Sequence, residues 1–146
     1  MLVTNHVLLG ALIGHASPNA PAAFAAGVLS HPVLDAVPHW GETRPLSELL
    51  HVAVPDGLIG AGAMAVATVL TAPRHRARVL AGMAGAALLD LDKPSNLFFG
   101  FSPFPAPVDR FHQRIQRESP HRMPQEILVG AVAALVVAAV TRRRTA

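Results

Sequence analysis

Leu29-Ser30-His31-Pro32-Val33-Leu34-Asp35-Ala36-Val37-Pro38-His39-Trp40 is the stretch on which the reading of this chain turns. It closes an apolar run and sets His31, Asp35 and His39 at four-residue intervals. A helix turns about 100° per residue, so such positions share one face. Imidazole and carboxylate one turn apart can chelate one ion, as the two His of a metalloprotease helix do. Polar groups in apolar surroundings need partners, because burying them unpaired costs roughly several kcal/mol. Either a metal or a polar network is expected here. His31 and Asp35 lie about 6 Å apart along a helix axis, within reach of one ion, whereas His39 is about 12 Å from His31. His39 can therefore serve a second ion, fold back at Pro38, or hold a ligand carboxylate from behind.

Outward from this stretch, the composition points to a membrane. Hydrophobic residues make up 51% of the 146 residues and charged residues 14%, with a mean hydropathy of +0.40. Soluble domains carry about 25% charged residues, so this chain lacks the charge to cover a water-facing surface. Ala, Val, Leu and 11 Gly suit close helix packing in lipid. Cys is absent, which excludes disulfides and thiolate metal sites. A metal here takes nitrogen and oxygen ligands, which suits zinc first, with manganese or iron next. The net charge of +3 comes mostly from Arg. No run combines basic and aromatic residues in a polar context, so no nucleic-acid partner is expected.

The apolar runs are Thr4–Gly14, Ala22–Val37, Val54–Ala72, Val79–Leu91 and Ile127–Val140. Ser17–Pro21 reads as a turn, His39–Leu50 as a polar loop, Pro73–Arg78 as a basic turn and Lys93–Val108 as an interfacial loop. Asp109–Gln125 is polar and basic, and Arg142–Arg144 ends the last helix. The expectation is all-α: one membrane-embedded domain over residues 1–146, an integral bundle of about five short helices. Some runs are nearer a half-length than a full span of about 20 residues.

If basic segments face the cytoplasm, the Arg74–Arg78 turn and the Arg142–Arg144 end lie inside. Alternation then gathers His6, His31, Asp35, His39, His51, Asp56, Asp90, Asp92, His112 and His121 at or near the outer face, leaving His15 and His75 opposite. Arg110, Arg114, Arg117 and Arg122 run against this rule. They are expected to bind anionic headgroups or a phosphate, unless the span count is off by one. Asp56 opens a helix, where a carboxylate suits the dipole. Asp90 and Asp92 alternate at a helix end, so one is expected to face the site and the other solvent. Ionisable residues in membrane segments read as functional, and mixed His and carboxylate ligands are those of catalytic zinc or two-metal sites.

Ser-His-Pro-Val-Leu-Asp-Ala-Val-Pro-His-Trp, the early Asn5-His6, Leu88-Leu89-Asp90-Leu91-Asp92 and Arg110-Phe111-His112-Gln113-Arg114-Ile115-Gln116 together resemble a family of small bacterial membrane proteins, the membrane-bound metal-dependent hydrolases, distantly similar to zinc-dependent phospholipase C. The resemblance implies metal ligation by His6, His31, Asp35 and Asp90, with His39, Asp56 and His112 as additions by position. It implies residence in a bacterial inner membrane. The chain departs from the family in lacking a Pro before Asp90 and a His-x-x-x-Glu pattern.

The resulting expectation is a hydrolase of a lipid or phosphate ester at the membrane interface. The metal set is His6, His31, Asp35, His39, Asp90 and His112. Asp56 or Asp92 takes a proton, and Arg114 or Arg122 holds a phosphate by a two-pronged contact. The rival is a non-enzymatic membrane scaffold whose His and Asp residues form a structural network. An ion pathway is disfavoured, because Leu58–Leu70 is apolar throughout its middle.

Overall fold

The computed structural model describes residues 1–42 and 44–145, with side chains up to 142. Its helices are α1 (Val3–Ala16), α2 (Ala20–Asp35), α3 (Leu50–Leu70), α4 (Pro73–Ala87), α5 (Asp92–Phe99), α6 (Ala106–Ile115) and α7 (Met123–Thr145). Short 3₁₀ turns cover Leu46–Glu48, Leu88–Leu91 and Pro120–Arg122. No strand occurs among the described residues; one isolated parallel bridge joins His39 to Glu118. The all-α expectation holds. The five apolar runs are α1, α2, α3, α4 with the turn after it, and α7. The structure adds α5 and α6 where a loop and an irregular polar stretch were expected.

The helix limits have local causes. Asn19 accepts a hydrogen bond from the Ala22 amide at 2.9 Å and caps α2. Pro32 lies inside α2 without ending it. Pro73 sits at the first position of α4, where its missing N–H is no loss, so Pro73–Arg78 is a helix start rather than a turn. α3 begins four residues before the expected Val54 and carries Pro55 in its second turn. Gly100, with φ 76°, closes α5 in the left-handed conformation.

α1, α2 and α4 form a tight inner group, with α4 between the other two. Its compactness comes from small residues. A Cβ added to Gly10 would fall 2.6 Å from the Gly82 carbonyl oxygen and 2.7 Å from the Met83 Cα. Gly14 meets Val79, and Gly27 and Gly85 bring α2 equally close to α4. Backbones in contact replace interdigitated side chains here. Val7, Leu8, Ala11, Val79 and Met83 fill the remaining core, closed from outside by Ala67 of α3 and Val137 of α7.

α3 and α7 flank this group and differ from it. α3 (Leu50–Leu70), and α7 together with the 3₁₀ turn before it (Pro120–Arg142), are long and apolar enough to cross a membrane, and both are mostly unburied. Twenty-one residues at 1.5 Å each give α3 about 31 Å, the thickness of a hydrocarbon core. Leu58, Ile59, Val66, Leu70, Ile127, Leu128 and Leu135 all point outward. Surface of this kind marks a membrane or partner interface. The inner helices are shorter, at 14, 16 and 15 residues.

The bundle has two polar ends. At one, His15 at the end of α1 bonds Thr141 of α7 at 3.2 Å, and Arg78 of α4 donates to the Ser17 carbonyl at 2.9 Å. Arg76 donates to the Thr71 carbonyl, bringing the end of α3 to the same side. The side chains of Arg143 and Arg144, part of the expected basic tail, lie outside the described residues. The other end gathers the start of α1, the end of α2, the Leu88–Leu91 turn, α5 and α6.

Candidate metal centre

His31 is fully buried on the last turn of α2, and its Nδ1 donates to the Ala86 carbonyl of α4. That bond fixes the tautomer and leaves the Nε2 lone pair aimed into the bundle end. Nε2 lies 3.1 Å from Asp35 Oδ2, one turn on, and 3.1 Å from His112 Nε2. His112, on α6, lies 3.1 Å from the same Asp35 oxygen through Nε2, and its Nδ1 bonds Asp92 Oδ2 at 3.2 Å. Three ligand atoms from two helices thus form a triangle with equal sides of 3.1 Å.

An ion bound tetrahedrally at 2.0–2.1 Å keeps its ligand atoms about 3.3 Å apart. The triangle matches that spacing. The supports behind it match as well: a carbonyl behind His31 and a carboxylate behind His112 are the partners that orient metal-ligating imidazoles. Burial opposes a charge on His112, but its hydrogen bonds to Asp35 and Asp92 outweigh burial and raise its pKa to about 9. The carboxylates draw positive charge to this point, as a proton or as an ion.

A second group overlaps the first. His6, His31 and Asp90 also bring ligand atoms within 4.8 Å of one another. The His6 and His31 rings stack with centroids 3.9 Å apart and planes 10° from parallel. His6 Nε2 lies 3.2 Å from Asp35 Oδ1 and 3.9 Å from Asp90 Oδ2. Asp35 therefore faces His6 with one oxygen and His31 and His112 with the other. Three buried polar atoms here lack a hydrogen-bond partner: His6 Nδ1, Asp90 Oδ2 and Asp92 Oδ1. Such atoms are rare in a settled interior and suit a centre that takes an ion. The donors are nitrogen and oxygen only, a set that could hold a metal ion.

Asp90 and Asp92 do not split between site and solvent as their alternation suggested. Both are 8% exposed and both face the cluster. The reason is local: Leu88–Leu91 is a 3₁₀ turn and a new helix starts at Asp92, so the regular 100° rotation does not apply across the pair. Asp92 thereby also sits in the first turn of α5, where the dipole favours a carboxylate.

The remaining candidates lie around the cluster. His39 belongs to neither ligand group. Its Nε2 bonds Gln116 Oε1 at 2.9 Å, and Gln116 Nε2 donates to Asp35 Oδ2 at 2.8 Å. His39 thus steadies a cluster carboxylate through one intermediary, held there by backbone bonds between residue 39 and residues 117 and 119. Asp56 accepts from the Val3 and Thr4 amides at 2.7 and 3.1 Å, capping α1 from the neighbouring helix. Arg114 ends α6 exposed, and Arg122 is exposed and donates to Gln125. His51 and His121 are exposed.

Other residues hold the cluster without having been singled out from sequence. Gln116 links His39 to Asp35. Lys93 pairs with Asp90 and stands 3.9 Å from Asp92. The amino group of Met1 lies 3.0 Å from Asp35 Oδ1. Glu126, 1% exposed, accepts from the Leu2 amide at 3.0 Å and from Asn5 Nδ2 at 2.8 Å, tying α7 to the start of α1. A lone carboxylate opening an apolar helix was the signal for Glu126, and Lys93 directly follows Asp92; Gln116 carried none.

Comparison with family models, curated proteins and solved structures finds no match for this chain.

Proposed function

We propose that this chain is a membrane-embedded, metal-dependent hydrolase acting on an ester, a phosphate ester foremost, at the membrane interface. The observation that carries the reading is the equal-sided triangle of His31 Nε2, Asp35 Oδ2 and His112 Nε2. Two His and one carboxylate are the protein ligands of many catalytic zinc sites, which keep a further position for water. Bound there, a divalent ion, zinc first and manganese or iron next, lowers the pKa of a bound water toward about 7 and polarises a phosphoryl or acyl oxygen.

The chain's own residues have separable tasks. Asp92 and the Ala86 carbonyl orient the two imidazoles, and Gln116 with His39 steadies Asp35. Asp56 is engaged in capping α1, which leaves Asp90, with its unpartnered Oδ2 beside His6, as the carboxylate to accept a proton. Burial of the cluster at one bundle end restricts water and strengthens each of these interactions.

The same reading places the chain with the membrane-bound metal-dependent hydrolases it resembles, in a bacterial inner membrane. The outward apolar faces of α3 and α7 support the membrane location. The Arg74–Arg78 and Arg142 end is then cytoplasmic and the cluster faces outward.

The test is elemental analysis of the detergent-purified protein beside a folded His31→Ala/Asp35→Ala variant. A near-stoichiometric metal that disappears in the variant supports the centre, and hydrolysis of chromogenic phosphodiesters by the wild type alone then tests the chemistry. No metal in either protein, even after reconstitution with zinc, manganese and iron, leaves a structural hydrogen-bond network in a non-enzymatic scaffold.

A further inference from the structure

A cavity of about 710 Å³ adjoins the cluster between the first half of α3, the start of α1 and α5. Apolar residues, Leu50, Ala53, Leu97 and Phe98 among them, make up most of its lining, which also carries the charged Glu42, Arg44, Asp56 and Glu118; Asp90, Lys93 and Gln116 line it beside the cluster. Gln116 donates to Asp35 Oδ2 at 2.8 Å and Asp90 Oδ2 stands 3.9 Å from His6 Nε2, so cavity and cluster share one wall. Leu58 and Phe98 line the cavity yet are each 70% exposed. The cavity therefore opens sideways onto the apolar outer face of α3, the helix long enough to cross a membrane.

We infer that this cavity seats the hydrocarbon chain of an amphiphile whose anionic head lies at Lys93, against the His and Asp cluster. The assignment rests on reading that cluster as the reactive centre. Most charged groups of the lining are already engaged, Arg44 with Glu42, Asp56 with two amides and Lys93 with Asp90, so a polar metabolite finds few free partners, and desolvation without hydrogen bonds opposes its binding. A hydrocarbon chain needs none, and the volume falls within the ~300–1,000 Å³ of ordinary ligand pockets. The sideways mouth admits such a chain directly from the surroundings of α3. Lys93 is a cation at the junction, 44% exposed with its ammonium touching Asp90; the other basic groups of the lining, Arg44 and the Met1 amino group, are paired with Glu42 and Asp35. A charged head there meets a point charge within reach of the site. The substrate class is therefore a lipid-like phosphate or carboxylate ester, in preference to a water-soluble one.

The probe is hexadecyl phosphate bearing a diazirine in its chain, photolysed with the full-length protein in phosphatidylcholine nanodiscs. Labelled peptides are mapped in wild type, Ala53→Trp, Gly57→Trp and Lys93→Gln. A Cβ added at Gly57, which lines the cavity, meets nothing within 4 Å, so the substitution begins without a clash. Expected is labelling within residues 50–57 and 97–98, falling roughly tenfold in either Trp variant. Lys93→Gln should weaken it by about tenfold, the scale of one hydrogen bond to a charged group. Labelling confined to outward positions such as Val66 and Leu135, or unchanged by all three substitutions, overturns the inference. Labelling that responds to the Trp variants and ignores Lys93→Gln overturns the assignment of the head. Metal content of the same samples reports the centre separately. Intact metal with lost labelling in the Trp variants supports the cavity assignment. Cavity labelling in a protein that binds no metal also supports it, and sinks the hydrolase reading alone.

Discussion

Asp35 Oδ2 and His112 Nε2 stand 3.1 Å apart although 77 residues of chain separate them. The contact closes the cluster, because it brings α6 onto the end of α2. Asp35→Asn keeps the size and a hydrogen-bonding oxygen but removes the charge. Metal affinity, read by competition with a chromogenic chelator, should fall by about 100-fold or more, beyond the ~10–100-fold typical of supporting residues. An affinity equal to wild type would show that the carboxylate is a structural acceptor.

Asp92 tests the support behind a ligand. It touches His112 Nδ1 and not the triangle itself. Asp92→Asn should lower metal affinity by about 10–100-fold, with the helical content of the protein unchanged by circular dichroism. A complete loss of metal would instead make Asp92 a ligand.

Asp56 should behave differently. Its carboxylate satisfies two amides at the start of α1. Asp56→Ala should cost about 0.5–2 kcal/mol of stability, measured by chemical unfolding in detergent, while metal content stays near wild type. A folded Asp56→Ala protein that keeps its metal and loses hydrolysis would return Asp56 to the chemistry.

Glu126 is predicted to matter more for the fold than any exposed charge. Truncation to Ala removes the acceptor of the Leu2 amide and one of the two acceptors of Asn5 Nδ2, which keeps the Glu126 carbonyl. The expected cost is about 1–3 kcal/mol for each group left unsatisfied. Glu126→Gln, which retains one acceptor oxygen, should lose less in the same unfolding experiment.

Gly82 is a point where α4 meets both α1 and α2. A Cβ at Gly82 would fall 2.9 Å from the Gly14 amide nitrogen and 3.1 Å from its Cα. Gly82→Val should destabilise by about 1–3 kcal/mol or more, because backbone cannot yield as a side chain does. Gly62→Val, where an added Cβ meets open space, should be near neutral.

These expectations show what the sequence carried and what it did not. His31 and Asp35 were legible because a helix with four-residue spacing leaves their relative position little choice. The sidedness of His6, Asp90 and His112 followed from alternation of apolar runs. The helices α5 and α6 were not legible, since Pro94, Pro103, Pro105 and Pro107 read as loop signals, while Pro107 in fact sits in the first turn of a helix, where it is welcome. The joint inward placement of Asp90 and Asp92 depended on a 3₁₀ turn, a departure from regular rotation that composition does not announce. Asp56 capping a neighbouring helix and Gln116 bridging His39 to Asp35 are tertiary contacts with no local signature.

The cluster draws His6 from α1, His31 and Asp35 from α2, Asp90 from the turn after α4 and His112 from α6. A chain still being synthesised, with residues beyond 100 yet to emerge, offers only the group of His6, His31 and Asp90. The equal-sided triangle waits for His112. The clamp of Glu126 on α1 comes later still, with α7. An ion held by the triangle would therefore enter a protein whose inner helices are already laid down, and its delivery would follow synthesis of most of the chain.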